Sequence, residues 1–386
     1  MQSTYLGRCR WRSILTFIVF ALPVAAQTSI FQPEPVPLTQ GMLAVAVSAE
    51  SANDVWVVGD SSLHFDGITW TQVPIAPVGG SLTLNSVVAL SPTDVWAVGF
   101  FQNSKGFDTP VMQHFDGTKW SRVRDVNLVG KTLNGALVLS EALVSITGPS
   151  STDLWACGYL LTQSGFTQQL VAFVERFDGT KWRLSGLPAG TGSDVMIGVN
   201  SISVISDNDA WMVAFQDING QDGQGEAFHF DGTRWRLFPT PAVASSTLRA
   251  VTAIASNDVW AVGDQNDLTR TLIEHFDGTK WSVVPSPTPQ GVQIVELWGI
   301  AAISSTDVWA TGFQELSSTG MNLPLILHWD GAVWTIVPAP GQPGQSTTTF
   351  GVATLAPGNV WVAGTFLGKQ GQPIFEPYVL FTNQGQ

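Results

Sequence analysis

Cysteine is nearly absent from this 386-residue sequence, which contains Cys9 and Cys157 and no others. The sequence therefore excludes the small scaffolds that several disulfides hold together. Charged residues are also scarce, at 12% of the chain, whereas 16 tryptophans and 21 phenylalanines are present. A chain of this length and composition can bury a large aromatic core, and it lacks the composition of a disordered protein.

The first 26 residues have the pattern of an export signal. Three arginines between residues 8 and 12 precede an apolar run over 14–22, and Val24 and Ala26 provide small residues for signal peptidase. We predict a signal peptide over 1–26, cleaved after Ala26, and a secreted or periplasmic product. The apolar run is too short to span a bilayer of roughly 30 Å, and no later segment resembles a membrane span.

Positive charge is scarce in the remaining 27–386. Loss of residues 1–26 would leave 14 basic residues against 30 acidic ones, a net charge of −16. This balance argues against nucleic acid as a partner, because phosphate binding needs a basic surface. It favours an exported monomer that avoids self-association. Cys157 would then be the sole cysteine, so no intramolecular disulfide could form.

Two motifs recur along the chain. Asp-Val-Trp or a close variant occurs seven times, at 54–56, 94–96, 153–155, 209–211, 258–260, 307–309 and 359–361. An aromatic residue followed by Asp-Gly, with Trp three residues after the Asp-Gly pair, occurs six times, beginning at 65, 115, 177, 230, 276 and 329. Self-similarity at a period of about 50 residues is typical of repeat architectures.

Each repeat reads as four short strands. Asp-Gly between two β-prone runs predicts a hairpin with a type I′ turn, and "DVWAVG" is apolar at nearly every position, as in a strand that is covered on both faces. Seven such units predict an all-β, seven-bladed β-propeller of four-stranded antiparallel blades over 27–386. The seventh repeat ends after its third strand, and we predict that residues 29–37 supply its outer strand and close the ring.

These motifs resemble two families of propeller repeats. The run "DVWAVGDQNDLTRTLIEHFDGTKWSVVP" is similar to a kelch repeat, and "DVWVVGDSSLHFDGITW" resembles the Asp-box repeats of sialidase-like and photosystem II assembly-factor propellers. The chain thus resembles bacterial secreted propellers of these types. The resemblance implies the fold, but neither family has a single activity.

The repeated polar residues favour structural roles. All five histidines occupy the position before the hairpin aromatic, one per blade, so we expect each to be satisfied by a neighbouring hydrogen bond and not to share a metal ion. The Asp-Gly turns explain the hairpin aspartates, and we expect the aspartates of the Asp-Val-Trp motifs to accept backbone hydrogen bonds in their own turns. Cys157 replaces a Val of a buried strand and should behave as a small apolar residue.

Long and variable connections mark one face of the ring. They join the second strand to the third, at 100–111, 159–170, 215–227, 313–324 and 365–376, and link blades at 124–134 and 186–197. Binding residues usually lie on such loops, so we place a ligand site on this face. The candidates are Phe100, Tyr159, Phe215 and Phe313, which could stack on sugars or could fill space between the blades.

One further loop is a weak candidate for calcium. Asp217, Asn219, Asp222 and Glu226 lie in a Gly-rich segment, but their spacing departs from the EF-hand pattern. A solvated loop is the favoured explanation of these residues. We find no Gly-rich phosphate loop, zinc spacing or catalytic triad signature, and we predict no cofactor.

The sequence leaves three functional hypotheses open. A non-catalytic extracytoplasmic module that binds a protein or glycan is the leading one. A carbohydrate-directed protein, either a lectin or a glycoside hydrolase, is the second, and a structural or adhesive surface protein is the third. Two carboxylates converging roughly 5–10 Å apart at the loop face would favour the hydrolase.

Overall fold

The structure is a computed structural model that describes residues 29–37, 41–186, 195–218, 221–265, 268–368 and 375–383. The predicted signal peptide, its cleavage after Ala26 and Asn219 of the calcium candidate lie outside these ranges. The described residues form 29 strands in seven sheets and no helices, so no helix there could cross a membrane. The predicted seven-bladed β-propeller is confirmed.

The strands follow one another blade by blade. They are β1 (Gln32–Pro33); in blade 1, β2 (Ala44–Ser51), β3 (Asp54–Gly59), β4 (Ser62–Phe65) and β5 (Trp70–Gln72); in blade 2, β6 (Ser81–Ser91), β7 (Asp94–Gln102), β8 (Asp108–Phe115) and β9 (Trp120–Val123); and in blade 3, β10 (Thr132–Leu133), β11 (Ala136–Ser150), β12 (Asp153–Ser164), β13 (Thr167–Phe177) and β14 (Trp182–Gly186).

The second half of the ring repeats the order. Blade 4 has β15 (Val195–Ser206), β16 (Asp209–Ile218), β17 (Gln221–Phe230) and β18 (Trp235–Phe238); blade 5 has β19 (Ser246–Ala255), β20 (Asp258–Gln265), β21 (Arg270–Phe276) and β22 (Trp281–Val283); blade 6 has β23 (Val292–Ser304), β24 (Asp307–Leu316), β25 (Asn322–Trp329) and β26 (Trp334–Ile336); and blade 7 has β27 (Thr347–Ala356), β28 (Asn359–Leu367) and β29 (Phe375–Asn383).

Two sheets depart from the four-strand repeat. In blade 3, β10 adds a fifth strand beside β11, through a turn in which Asn134 and Gly135 both have positive φ. In blade 7, β1 pairs antiparallel with β29, with Gln32 opposite Phe381. Residues from the start of the chain therefore hold the outer edge of the last blade, and this edge is not left open.

Tryptophan pairs fill the spaces between blades. The Asp-Val-Trp tryptophan of one blade packs edge-on against the hairpin tryptophan of the next, as Trp56 does with Trp120 at 5.4 Å between ring centroids. Five further pairs repeat this geometry: Trp96–Trp182, Trp155–Trp235, Trp211–Trp281, Trp260–Trp334 and Trp361–Trp70. At the seventh interface Phe31 takes the place of the hairpin tryptophan, 5.8 Å from Trp309.

The hairpin turns differ from the type I′ prediction. In Asp66–Thr69 the glycine has φ +89°, whereas the aspartate does not have a positive φ. The Asp66 carboxylate accepts hydrogen bonds from the backbone N–H groups of Ile68 and Thr69. This side-chain bonding lengthens the turn to four residues, between the paired Phe65 and Trp70. The predicted turn type was wrong, although the hairpin positions and the structural role of these aspartates were predicted correctly.

The connections on the predicted loop face are shorter than the sequence indicated. The segment 159–170 is mostly paired, because β12 and β13 continue to Ser164 and resume at Thr167. Similarly, β7 and β8 leave five residues, 103–107, outside their hairpin. In these two hairpins, strand pairing replaces most of the predicted loop.

Candidate functional site

The inner strand of every blade contains a β-bulge at the same place. In blade 2, Leu84 pairs with Gly99 and Ser86 with Val98, so that Asn85 has no partner in the ladder. The corresponding residues of blades 1 to 7 are Val45, Asn85, Val144, Asn200, Arg249, Trp298 and Phe350. A bulge bends a strand and redirects one side chain.

The glycine that ends the "DVWAVG" motif permits this bulge. A Cβ atom on Gly99 would lie 1.9 Å from the carbonyl oxygen of Thr83, just before the bulge. The glycines of blades 1, 3, 5, 6 and 7 are in the same position, and Ala214 stands there in blade 4. The bulged backbone thus approaches the second strand closely, which requires the absence of a larger side chain.

All seven bulge residues line one cavity on the axis of the ring, which we call the funnel. Its volume is about 510 Å³, and its other lining residues include Phe100 and Tyr159. This volume is within the range of roughly 300–1,000 Å³ that small-molecule sites have. The funnel therefore receives one residue of different chemistry from each blade of a repeating scaffold.

Serines that follow several bulges connect the inner strands of neighbouring blades by hydrogen bonds. The Ser86 hydroxyl accepts a hydrogen bond from the backbone N–H of Ile146 in blade 3, at 3.1 Å. Ser201 does the same for Val251 of blade 5, at 3.3 Å. These bonds between blades fix the spacing of the funnel wall, so the bulge residues are held in a rigid frame.

The four predicted aromatic residues separate into two pairs. Phe100 and Tyr159 line the funnel, and burial together with Asp108 raises the pKa of the Tyr159 hydroxyl. Phe215 instead covers Gly198, on which a Cβ would lie 2.2 Å from the Phe215 ring. Phe313 is half-buried opposite Glu296 in its ladder. Neither Phe215 nor Phe313 is among the described residues that line the funnel.

Arg249 of blade 5 organises one side of the funnel. Its Nε atom lies 2.6 Å from Asp264 Oδ1, and its Nη2 atom lies 3.1 Å from Glu296 Oε2. Burial raises the pKa of Glu296, and the guanidinium opposes that rise. Two carboxylates therefore converge at the funnel, but both are buried and both bind the same arginine.

Trp298 extends this cluster into the cavity. Its Nε1 atom donates a hydrogen bond to Glu296 Oε2 at 2.8 Å, and the Arg249 guanidinium lies 4.3 Å from the ring centroid. The ring of Phe350 meets the indole edge-on, with centroids 5.7 Å apart. The indole is still 39% exposed. The wall thus presents an aromatic surface whose orientation is fixed on several sides.

One feature of the sequence could have identified this cluster. Of the tryptophans after residue 26, Trp298 alone stands outside the two repeated motifs. A large aromatic residue that the scaffold does not require is a candidate for function. The bulges themselves were missed because no residue type marks them in the inner strands.

Of the four calcium candidates, Asn219 lies outside the described residues, and Glu226 alone has a described side chain. The backbones of Asp217 and Asp222 are opposite each other in the β16–β17 ladder. Glu226 lies farther along β17, opposite Ala214, and is 7% exposed. Among the residues described, no group of three His, Cys, Asp or Glu side chains could hold a metal ion.

The repeated histidines lie at the other end of the blades from the funnel. Each Nε2 atom is within 2.8–2.9 Å of the Asp-Val-Trp aspartate of its own blade, in blades 1, 2, 4, 5 and 6. In blades 1, 2, 5 and 6 the same carboxylate oxygen also accepts a bond from the motif tryptophan, as Asp54 does from Trp56 at 3.0 Å. The predicted hydrogen bonds of the histidines are confirmed, but these aspartates accept from side chains and not from the backbone of their turns.

Cys157 is fully buried, beside Ser145 in the β11–β12 ladder. Burial raises the pKa of its thiol, so the reactive thiolate is disfavoured. This position agrees with the prediction of a small apolar residue in a covered strand.

Comparisons with known proteins support the fold. No family model and no curated protein matches the sequence. A structure described as YCF48 bound to D1 peptide is similar at a TM-score of 0.57 and 14% identity, over 94% of this chain and 100% of that one.

Two carbohydrate-active proteins are similar as well. A PL25 ulvan lyase bound to -[GlcA(1-4)Rha3S]- has a TM-score of 0.55 and 9% identity, over 89% of this chain and 96% of that one. The Hadza microbial sialidase Hz136 has a TM-score of 0.52 and 9% identity, over 85% and 72%. At these identities the similarity shows the seven-bladed fold, whose neighbours include peptide-binding and carbohydrate-active proteins.

Proposed function

We propose that this chain is an extracytoplasmic, non-catalytic binding protein whose ligand enters the funnel. The observation that carries the proposal is the ring of seven bulge residues. Their backbone positions repeat from blade to blade, whereas their side chains differ in size, polarity and charge. A rigid scaffold that presents variable side chains around one cavity is the usual construction of a binding site.

The ion pairs of the two carboxylates near the funnel favour a binding function over hydrolysis. A glycoside hydrolase needs one carboxyl group as acid and a second as base or nucleophile. Asp264 and Glu296 converge, but each makes a close ion pair with Arg249 and both are less than 10% exposed. In this arrangement they orient Arg249 and Trp298. The secreted or periplasmic location is part of the proposal and rests on residues 1–26.

Blocking the funnel tests the proposal. Val45→Trp places an indole at a bulge that already lines the cavity, and Ile68→Trp is the matched control on an exposed hairpin turn at the other end of the blade. Wild type is screened on glycan and peptide arrays, and affinities for the ligands found are measured by calorimetry. We expect Val45→Trp to weaken binding at least tenfold and Ile68→Trp to leave it unchanged. The absence of any ligand, or binding that Val45→Trp does not affect, would contradict the proposal.

A further inference from the structure

We infer that the funnel binds a neutral glycan, with one sugar ring stacked on Trp298. The inference rests on the proposed function and specifies its ligand. It starts from the exposure of Trp298, because a fixed indole that is 39% exposed inside a cavity keeps apolar surface in contact with water. Displacing this water by the apolar face of a sugar ring would be favourable, and the preorganised indole would lose little conformational entropy.

The polar groups of the funnel supply acceptors for hydroxyl groups. Asn85 Nδ2 donates to the carbonyl oxygen of Leu143 at 2.8 Å, and Asn200 Nδ2 donates to that of Leu248 at 2.7 Å. In both cases the amide nitrogen is held by the next blade. The amide oxygen of each side chain remains to accept a bond in the cavity. The Tyr159 hydroxyl adds a group that both donates and accepts.

The charges of the funnel favour a neutral ligand. Among the described residues that line the cavity, Arg249 alone is charged. Asp264 and Glu296 both bind its guanidinium and compensate its charge. A carboxylate or sulfate on the ligand would therefore find no uncompensated cation, and desolvating that anion would be costly. A molecule with apolar ring faces, many hydroxyl groups and no charge matches these three features.

Substitution of Trp298 tests the inference. We would titrate wild type, Trp298→Ala and Trp298→Phe with neutral hexasaccharides of glucose, mannose, xylose and galactose, and with oligogalacturonate. Phe166→Ala is the matched control, because Phe166 is a fully exposed aromatic residue at the turn of the β12–β13 hairpin, on the same face. For at least one neutral hexasaccharide we expect a dissociation constant at least tenfold higher in Trp298→Ala, a smaller increase in Trp298→Phe and no change in Phe166→Ala.

A spectroscopic readout separates contact from structural damage. The other tryptophans in the described part of the chain are less exposed than Trp298. Bound sugar should therefore reduce acrylamide quenching of wild-type fluorescence and have little effect in Trp298→Phe. Cooperative thermal unfolding of each variant would establish that it is folded.

The outcomes distinguish this inference from the proposed function. Tighter binding of oligogalacturonate than of every neutral glycan, or a peptide as the sole ligand that Val45→Trp weakens, would overturn the neutral-glycan inference and leave the funnel as the binding site. A neutral glycan whose binding is insensitive to both Trp298→Ala and Val45→Trp would overturn both.

Discussion

Gln113 and Glu175 occupy the same position in neighbouring blades, and they bind the preceding link between blades differently. Gln113 Nε2 donates to the carbonyl oxygen of Ala76 at 2.9 Å, and its Oε1 atom accepts from the Ala76 N–H at 3.2 Å. Glu175 Oε2 accepts from the N–H of Val126, the equivalent link residue, but its buried Oε1 atom has no partner. An ionised carboxylate cannot make the second bond, because it has no proton to donate.

The surroundings of Glu175 also disfavour its ionised form. Burial, together with Asp125 and Glu141, raises its pKa well above the usual value. Burial also raises the pKa of Glu141 to about 7 and that of Asp125 to about 6. Between the ordinary and the raised pKa values of these groups, the folded state therefore binds more protons than the unfolded state. As a result, the free energy of unfolding should fall as the pH rises from about 4.5 to 8.

We predict that Glu175→Gln stabilises the protein at pH 8 by about 1–3 kcal/mol, since the amide makes both hydrogen bonds and removes one buried charge. At pH 5 the gain should be much smaller, because the raised pKa of Glu175 favours its protonated form at low pH. Urea unfolding at the two pH values measures the difference. Gln113→Glu is the matched reverse change and should destabilise more at pH 8 than at pH 5. Equal effects of either variant at the two pH values would contradict this account.

The sequence predicted the role of the recurring histidines, whereas the partners of the recurring Asp-Val-Trp aspartates were predicted wrongly. Five histidines at one repeat position indicated a local hydrogen bond, and the structure shows that bond to the Asp-Val-Trp aspartate. Gln113 and Glu175 gave no such signal. Each is a polar residue next to a histidine or an arginine, and such a pair in a sequence predicts an exposed position. Their burial depends on the link from the preceding blade, which sequence patterns within one strand do not contain.

At the scale of the element, two separate factors limit substitution of the hairpin glycines: a positive φ angle and contact with a neighbouring turn. Gly117 has φ +90°, and a Cβ there would lie 2.6 Å from Thr93 Cγ2 in the turn between β6 and β7. Gly106 has φ +80°, but no atom lies within 4 Å of the position of its Cβ. The first glycine meets both a backbone and a packing requirement, and the second meets the backbone requirement alone.

We predict that Gly106→Ala costs about 1 kcal/mol, from the positive φ. Gly117→Ala should cost about 1–3 kcal/mol more, because the β-branched Thr93 cannot move away without disturbing its turn. Chemical unfolding of both variants gives the comparison. Equal losses of stability would show that the two turns do not pack against each other in solution.

The extent of the elements was predicted less well than their order. The segment around Gly165 is polar and was interpreted as a loop, yet β12 and β13 pair as far as Ser164 and Thr167. Cross-strand hydrogen bonding continues there beyond the apolar residues, which were the guide to strand length. The bulges were missed for a related reason, since a single unpaired residue leaves the alternation of an already apolar strand almost unchanged.

At the scale of the whole molecule, the number of blades followed from counting motifs, whereas closure depends on residues that contain no motif. Phe31 is fully buried and precedes β1 by one residue. The pairing of Gln32 with Phe381 places Phe31 at the register that the hairpin tryptophan has in the other blades. It packs with Ile326, Val360 and Leu380 as well as with Trp309. One aromatic residue from the start of the chain thus completes the last interface between blades.

We predict that Phe31→Ala destabilises the protein by about 3–5 kcal/mol, the usual cost of deleting a buried phenylalanine ring. The loss should be largest at the closure, so amide hydrogens of β28 and β29 should exchange faster, while those of β11 and β12, on the far side of the ring, keep their protection. Hydrogen exchange with mass spectrometry measures both regions in one experiment. Ile68→Ala, at an exposed side chain, is the control and should change stability by less than about 0.5 kcal/mol. Uniformly faster exchange in all seven blades would mean that the ring opens as one unit, and unchanged exchange in β29 would mean that Phe31 does not hold the closure.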